Sequence, residues 1–338
     1  MKNLRSPKLM FCILAMIALV LSTMMAACTT SETVTVTETA TETATGPSTQ
    51  TKTESKTTTE TETQVFELKF SHHLSPLGLV AQALEEWANK VEENTNGQVK
   101  ITIYPSGSLA KDVDAYDSTS GGVCDITYVN NVTENSRWSL NNITNVLSLP
   151  FPCDERGAEV WMQLWEEYPS MLDEFQGVKP LVPSVGSPTS IHTTDLVRVP
   201  DDIKGLKIAV RGPKTVMLQS AGASPVSLGA GEWYMGVEKG VIDGTFAPTG
   251  VVVDRGVHEV LNYHLCFNLG QGGSVIIINS EVWDRLPPDV QQEIEALQPL
   301  GTELLAKAKQ AEEDVGLDKC KAIGNEIVTI SKEELKLW

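Results

Sequence analysis

The sequence predicts an α/β fold in which helices cover sheets of mostly parallel strands. Phe66–Ser71 alternates apolar and polar residues like a half-buried strand, and Leu79–Asn96 follows with apolar residues at helical spacing. Another alternating strand begins at Val99 directly after this helix. Strand and helix patterns that take turns along a chain are typical of sheets covered by helices. Residues 65–338 are 274 residues, enough for two modest lobes or one large domain.

The elements of the first part follow one another closely. Asn96-Gly97 ends the first helix, because glycine favours the left-handed turn after a helix. Pro105 closes the second strand, and a short helix over Val113–Ser120 stops at Gly121-Gly122. A strand over Asp125–Val129 comes next. The apolar face of the first helix consists of Leu79, Ala83, Leu84, Trp87 and Val91.

The second part contains further strands and a long helix. Gly205–Val210 and Val241–Ala247 have the patterns of strands, the first of them opening a second lobe. Ser274–Asn279 is almost continuously apolar, which suits a central strand buried on both faces. A long helix is predicted over Pro288–Val315, and the closing segment Ser331–Trp338 reads as the start of a helix.

The first 27 residues have the features of an export signal. Three basic residues precede an apolar run, Leu9–Met25, which is shorter than the about 20 residues that a spanning helix needs. Two alanines then precede Cys28, as at a lipoprotein processing site. Residues 1–27 are therefore predicted to be a lipoprotein signal peptide, and Cys28 the lipid-bearing mature N-terminus. An uncleaved signal anchor is the alternative.

Residues 28–64 are predicted to be a disordered tether after the lipidated cysteine. Of the 36 residues from 29 to 64, 17 are Thr and six are Glu, so the segment lacks the apolar surface that would offset the entropy of ordering. Flexible-chain scaling gives a mean reach of roughly 30–35 Å. The folded part is thus expected to work outside the cytoplasm, close to the cell membrane.

Charge and cysteine content narrow the function classes. The start carries +3 and the tether −4, which leaves −17 of the total charge of −18 on residues 65–338. Without a basic cluster, nucleic acid and anionic membrane surfaces are not expected partners. Four cysteines remain in the folded part, with no CxxC spacing: Cys124, Cys153, Cys266 and Cys320. Free buried thiols and one disulfide stay open as alternatives.

No catalytic motif is present. The chain has no GxSxG, HExxH, Walker or GxGxxG sequence, so neither an enzyme nor a cofactor is predicted. His72-His73 together with His192 could form a zinc site, whereas the simpler reading has His72 lining a cleft by hydrogen bonding and His73 packing. We therefore predict no metal. Glu312-Glu313 and similar carboxylate pairs are expected on solvated helix faces.

A series of motifs in fixed order resembles the extracytoplasmic solute-binding proteins of tripartite ATP-independent periplasmic (TRAP) transporters, the DctP-type family. The series covers essentially all of residues 65–338, and its order is far more specific than any single motif. Its members are Phe66-Glu-Leu-Lys-Phe-Ser-His72, Val99-Lys-Ile-Thr-Ile-Tyr-Pro105, Gly107-Ser-Leu109, Gly122-Val-Cys-Asp125, Leu149-Pro-Phe151, Val199-Pro-Asp-Asp-Ile-Lys-Gly-Leu-Lys-Ile208, Gly222-Ala-Ser-Pro225, Glu232-Trp-Tyr234, Gly240-Val-Ile-Asp-Gly244 and Trp283-Asp-Arg-Leu-Pro287.

The resemblance implies a two-lobe, periplasmic-binding-protein-like (type II-like) fold, with a ligand cleft between the lobes and closure about a hinge. By analogy, lobe I is 65–186 plus 273–312, and lobe II is 187–272 plus 313–338. The implied function is capture of a small organic solute and its delivery to TRAP membrane subunits. The binding component of an ABC importer or a sensor is an alternative, and a metal-capture protein is a more distant one. In relatives the C-terminal helix usually continues for a few more turns. The resemblance therefore leaves two alternatives, a truncated second lobe or a shortened variant.

The chain departs from the family where a carboxylate would be held. The resemblance places an Arg at Thr189, a second Arg at Ala209, an Asn at Ala247 and an aromatic residue at Ala230. Arg211, helped by His192 or Lys214, is one replacement for the lost charge. The joint loss of four anchors favours the other explanation, a ligand that is not a simple carboxylate and a wider pocket with Trp233, Trp138, Tyr128, Asn130 and Asn131. The predicted ligand-binding residues are His72, Asn130, Asn131, Thr189, His192, Arg211 and Trp233.

Overall fold

A computed structural model of the chain describes residues 64–130, 137–145, 155–210, 212, 214–267 and 271–338. Val65–Trp338 forms one compact unit. None of the helices in these residues is long and apolar enough to cross a membrane.

In this part of the chain, five strands form a first mixed sheet in the order β2-β1-β3-β10-β4. β1 pairs in parallel with β2 and β3, and β10 lies between β3 and β4, antiparallel to both. The predicted apolar strand is therefore central, as expected, but the prediction of a parallel-type sheet is wrong at this position. The strands are β1 Phe66–Ser71, β2 Val99–Tyr104, β3 Ile126–Asn130, β4 Val178–Pro188 and β10 Gln271–Asn279.

A second sheet of six described strands has the order β11-β9-β5-β8-β6-β7. Here β5 runs antiparallel to β8 and β9, while β6 is parallel to β7 and β8. The strands are β5 Ser190–Thr193, β6 Lys207–Ala209, β7 Ser224–Val226, β8 Gly244–Ala247, β9 Tyr263–Leu265 and β11 Glu326–Val328. Two mixed sheets with helices confirm the predicted two-lobe α/β class.

Helices cover both faces of each sheet and enclose four apolar clusters. The helix predicted from Leu79 is present, with its apolar residues Leu84, Trp87 and Val91 almost fully buried on the first sheet. The helices are α1 Leu79–Asn94, α2 Ala115–Ser120, α3 Glu155–Glu167, α4 Lys214–Ser220, α5 Trp233–Glu238, α6 Thr249–Asp254, α7 Ser280–Arg285, α8 Pro288–Ala296, α9 Gln298–Ala322 and α10 Lys332–Leu335. Short 3₁₀ turns occupy Asp112–Asp114, Asn141–Asn145, Pro169–Glu174, Pro200–Ile203, Ala230–Glu232 and Val257–Glu259.

The single long helix predicted from Pro288 is two helices. α8 ends at Ala296, and Pro299 lies in the first turn of α9, where its missing N–H costs no helical hydrogen bond. α9 then continues past Val315 to Ala322. It packs on α1 and β4 of the first sheet and on α6 and β11 of the second, so one continuous helix joins the two halves of the fold.

The described cysteines do not form a disulfide. Cys124, Cys266 and Cys320 are free thiols, and burial raises the pKa of all three, that of Cys320 to about 11. Cys153 lies outside the described residues. The described thiols are therefore mostly protonated at neutral pH.

Candidate ligand cavity between the sheets

A cavity of about 880 Å³ lies between the two sheets and is lined from both. Its first wall comes from the end of β3 and from the loops after β1 and β2, and its second wall from β8 and the residues after β6. Segments of α9 close it from the side. The volume suits a small organic molecule. Lining residues include His73, Leu79, Val80, Tyr128, Asn130, Thr189, Lys214, Ala230, Trp233, Phe246, Ala247, Lys309 and Glu312.

Lys214 is a buried cation in the second wall. Only 7% of it is exposed, and its Nζ donates to Thr189 Oγ1 at 2.7 Å. Phe246 also lies near, with its ring centre 5.8 Å from Nζ. Burial lowers the pKa of Lys214 to about 8, so the ammonium form still predominates at neutral pH. Within the described residues no carboxylate lies within ion-pair distance of it. Lys214 therefore presents a positive charge to the cavity with no ion-pair partner among the described residues.

A second buried cation, Lys309, reaches the first wall from α9. Its Nζ donates to Ser184 Oγ and Ser274 Oγ, each at 2.7 Å, and Ser274 Oγ also contacts Tyr128 Oη at 2.7 Å. Burial lowers the pKa of Lys309 to about 7, and the nearby Glu312 opposes that shift. This lysine was not predicted from sequence, because a helical Lys in an otherwise charged stretch is typical of an exposed face.

Glu312 and Glu313 were predicted on a solvated face, and this prediction is wrong. Glu312 lines the cavity and accepts a hydrogen bond from the Val80 backbone N–H at 3.0 Å, which caps the N-terminus of α1. Glu313 is 4% exposed and accepts from the Gly250 N–H at 3.3 Å, near the start of α6. Burial raises the pKa of both carboxyls, against the effect of these backbone N–H groups. The two neighbours thus contact helices of opposite sheets.

His73, rather than His72, lies on the cavity wall. His73 Nδ1 is 3.1 Å from Asp112 Oδ1, and Asn130 Nδ2 is 3.3 Å from His73 Nε2. The His72 ring is buried at 3% exposure against Phe70, and burial lowers its pKa to about 4. The predicted roles of the two histidines are therefore exchanged, because the β1 alternation that buries Phe70 continues into the residue two positions on. Asn130, one of the predicted ligand-binding residues, also lines the cavity.

His192 lies behind the wall and does not line the cavity, contrary to the prediction. It is fully buried, with Nε2 3.0 Å from the Ala247 carbonyl and Nδ1 2.7 Å from His264 Nδ1. Because a carbonyl only accepts, His192 Nε2 carries the proton and its Nδ1 accepts from His264. His264 Nε2 in turn accepts from Asn325 Nδ2 at 2.9 Å. Burial lowers the pKa of His192 to about 3 and that of His264 to about 4, so both rings are neutral supports of the strand beneath Ala247.

The remaining predicted residues fall into three groups. Trp233 and Thr189 line the cavity, the Trp with its indole N–H donating to the Leu228 carbonyl at 3.1 Å. Trp138 does not, since it is fully buried against Tyr116 and Phe175 in the apolar cluster behind the first sheet. Asn131, Arg211 and Cys28 lie outside the described residues.

The structure also places the positions at which the resemblance implies different residues. Ala230 and Ala247 line the cavity, while Ala209 is fully buried in the apolar cluster beneath it. Thr189 stands where the resemblance implies an Arg, and its hydroxyl accepts a hydrogen bond from the Lys214 ammonium. Lys214 therefore puts positive charge beside the position of the missing Arg. As for metals, the described residues contain no group of three His, Cys, Asp or Glu side chains that could hold an ion.

Two sheets joined by a continuous helix, with a closed-in cavity between them, define a two-lobe ligand-binding protein. Residues 70–338 match the sequence profile of bacterial extracellular solute-binding protein, family 7, known as DctP. The chain belongs to this family. It is an extracytoplasmic solute receptor of the TRAP type for small organic solutes.

Named relatives and solved structures agree with this assignment. The C4-dicarboxylate-binding periplasmic protein DctP of Rhodobacter capsulatus is 24% identical over 276 residues, 80% of this chain and 82% of that protein. A TRAP solute-binding protein of Rhodoferax ferrireducens, solved with copurified benzoate, is 26% identical with a TM-score of 0.73, over 80% of this chain and 87% of that one. A TRAP periplasmic solute-binding protein of Desulfovibrio salexigens, in an open complex, is 25% identical with a TM-score of 0.72, over 80% and 84% of the two chains.

Proposed function

We propose that the receptor captures an organic acid and that Lys214 binds its anionic group. The main support is the buried Lys214 ammonium, which has one hydroxyl partner, Thr189 Oγ1, and no carboxylate partner among the described residues. A buried charge is costly unless it is paired, so the site is complete only when an anion enters it. This revises the sequence-based preference for a ligand that is not a carboxylate.

Relatives support the same solute class. Solved relatives bind benzoate, mandelate, D-glucuronate and orotic acid, which are all organic acids. In this chain the acid would meet Lys214 at Thr189 in place of the Arg that the resemblance implies. The ammonium of a lysine is a point charge, whereas the guanidinium of an arginine is a planar fork that binds a carboxylate with two hydrogen bonds. Lysine therefore restricts the orientation of the carboxylate less than arginine does.

The test is solute binding to the full chain and to Lys214→Met. Native mass spectrometry of protein purified without added solute identifies the acid that it carries, and calorimetry then measures its affinity. We expect Lys214→Met to weaken binding by about 2–5 kcal/mol, as the loss of one partner of a buried charge pair does. It should also raise the stability of the solute-free protein, because an unpaired buried charge is gone.

The matched control is Lys100→Met, which removes an exposed lysine from β2. Its affinity should equal that of the unaltered protein. Lys214→Arg keeps the charge and should retain part of the binding. Unchanged affinity in Lys214→Met would remove Lys214 from the site, and a copurified cation or neutral molecule would contradict the proposed solute class.

We also propose that the receptor is held at the membrane by lipid on Cys28 and hands its solute to TRAP membrane subunits. Support comes from the sequence, where a short apolar run ends in Ala26-Ala27-Cys28 and a Thr-rich segment follows. A roughly 30–35 Å tether would let the receptor reach a partner in the same membrane.

We further propose that lobe I comprises residues 65–186 plus 273–312, and lobe II residues 187–272 plus 313–338.

A further inference from the structure

Apolar side chains line much of the cavity wall near Lys214, among them Ala230, Trp233, Phe246 and Ala247. The residue after Thr189 pairs across the sheet with Ala247, which packs in one cluster with Ala230 and Trp233. The Phe246 ring lies 5.8 Å from the Lys214 ammonium. The indole N–H of Trp233 is already bonded to the Leu228 carbonyl, so this side chain presents ring carbon to the cavity. A solute held at Lys214 therefore meets hydrocarbon directly beside its charged group.

The polar part of the cavity has a different character. Lys309 is bonded to two serine hydroxyls, and Glu312, one turn further along α9, lines the same cavity. The rest of the lining carries charges of both signs, among them Lys111, Asp112, Asp254, Arg255 and Lys319. A second carboxylate on a small solute held at Lys214 would have to leave water beside the apolar side chains there, which is costly unless the carboxylate is paired. This disfavours a small diacid.

We propose that the solute is a monocarboxylate with an apolar body, aromatic or branched, that packs against Ala230, Trp233, Phe246 and Ala247. The proposal rests on the proposed function, since it takes Lys214 as the anion site. The two small alanines leave room for the body, and the two rings offer faces for stacking. The wall opposite is lined by Val80 and Leu79 at the start of α1, so an apolar body has hydrocarbon on both sides.

A panel of acids tests this inference on the unaltered full chain. Calorimetry would compare benzoate and phenylacetate with succinate, a diacid, and with glucuronate, a polar monoacid. We expect the two apolar acids to bind roughly 100-fold tighter or better, because each methylene-sized contact in an apolar pocket is worth about 10-fold or more. Equal or tighter binding of succinate or glucuronate overturns the inference and leaves the proposed function standing. Failure of every acid to bind contradicts both.

A variant that fills the wall gives a second measurement. Ala230→Leu should weaken benzoate and phenylacetate by roughly 10-fold or more, since it occupies the space of the apolar body. Ala322→Leu, an exposed position at the end of α9 away from the cavity, is the matched control and should leave both affinities unchanged. Unchanged affinity in Ala230→Leu overturns the placement of the body. If that variant does not fold, the acid panel decides alone.

Discussion

At the scale of single residues, two buried lysines of the cavity, Lys214 and Lys309, couple stability to pH. Burial lowers the pKa of Lys214 to about 8 and that of Lys309 to about 7, from 10.5 in the unfolded chain. Between these values the unfolded chain binds more protons than the folded one, so the folded state gains stability as the pH rises. The same pH change removes the positive charge that an anionic solute needs.

We therefore predict opposite pH trends for stability and binding. From pH 7 to pH 10, Lys214 should add about 1–3 kcal/mol to the unfolding free energy of the solute-free protein, while affinity for the acid falls. Urea unfolding and calorimetry at each pH measure the two trends. Other groups also titrate in this range, so the informative quantity is the difference from Lys214→Met. An identical pH dependence of stability in both proteins would contradict the depressed pKa.

Sequence reasoning located some cavity residues and missed others for a physical reason. Asn130 directly follows a predicted strand, where α/β folds commonly put ligand contacts, and Trp233 belongs to the Glu232-Trp-Tyr234 motif; both line the cavity. Lys309 and Glu312 belong to a helix whose exposed and buried faces both carry charges, so periodicity gave no signal for them. The exchange of His72 and His73 occurs because the alternation of β1 continues into His72, whose N–H still donates to the Tyr104 carbonyl of β2 at 3.1 Å.

At the scale of elements, α9 packs closely against both halves of the fold at two glycines, Gly301 and Gly316. A Cβ on Gly301 would lie 2.8 Å from Trp87 Cδ1 and 2.9 Å from Val182 Cγ1, in the core of the first sheet. A Cβ on Gly316 would lie 3.1 Å from the backbone of Gly250 in α6. Glycine normally weakens a helix interior by about 0.5–1 kcal/mol relative to Ala. At these two positions the close packing that glycine allows offsets that cost.

Gly301→Ala and Gly316→Ala should each destabilise the protein by about 1–3 kcal/mol, because overpacking outweighs the better helix propensity of Ala. Urea unfolding of the solute-free protein measures both. Gly231→Ala is the control, since its Cβ would have no neighbour within 4 Å. An unfolding free energy that rises in Gly316→Ala, as propensity alone predicts, would mean that α9 and α6 do not cross this closely.

Helix and strand bounds were predicted well where the apolar pattern extends over many residues. They were predicted poorly where pairing with distant strands sets the direction or the end of an element. β1 has its predicted bounds, and α1 ends two residues earlier than predicted. The antiparallel direction of β10 depends on the chain returning from the second sheet to the first, which no local pattern encodes. Similarly, the break between α8 and α9 comes from Pro299, whose effect was outweighed in the sequence by an apolar spacing that continues across it.

At the scale of the whole molecule, each half of the fold supplies what the other lacks. The second sheet contributes Lys214 and an apolar wall, whereas the first contributes the His73–Asp112–Asn130 group and the side of α1. The cavity is lined by residues of both halves. A closing motion about α9 and the β4–β5 connection would therefore change the site and the molecular shape together.

The proposed lipid anchor at Cys28 can be tested with one substitution. Cys28→Ser should abolish incorporation of a labelled fatty acid, because the thiol that would carry the lipid is gone. Cys12→Ser, inside the apolar run, is the matched control and should stay labelled and membrane-bound. An unaltered protein that takes up no label yet stays in the membrane fraction would instead identify residues 9–25 as an uncleaved anchor. In that case the roughly 30–35 Å reach of the tether would be measured from the end of a helix rather than from a lipid.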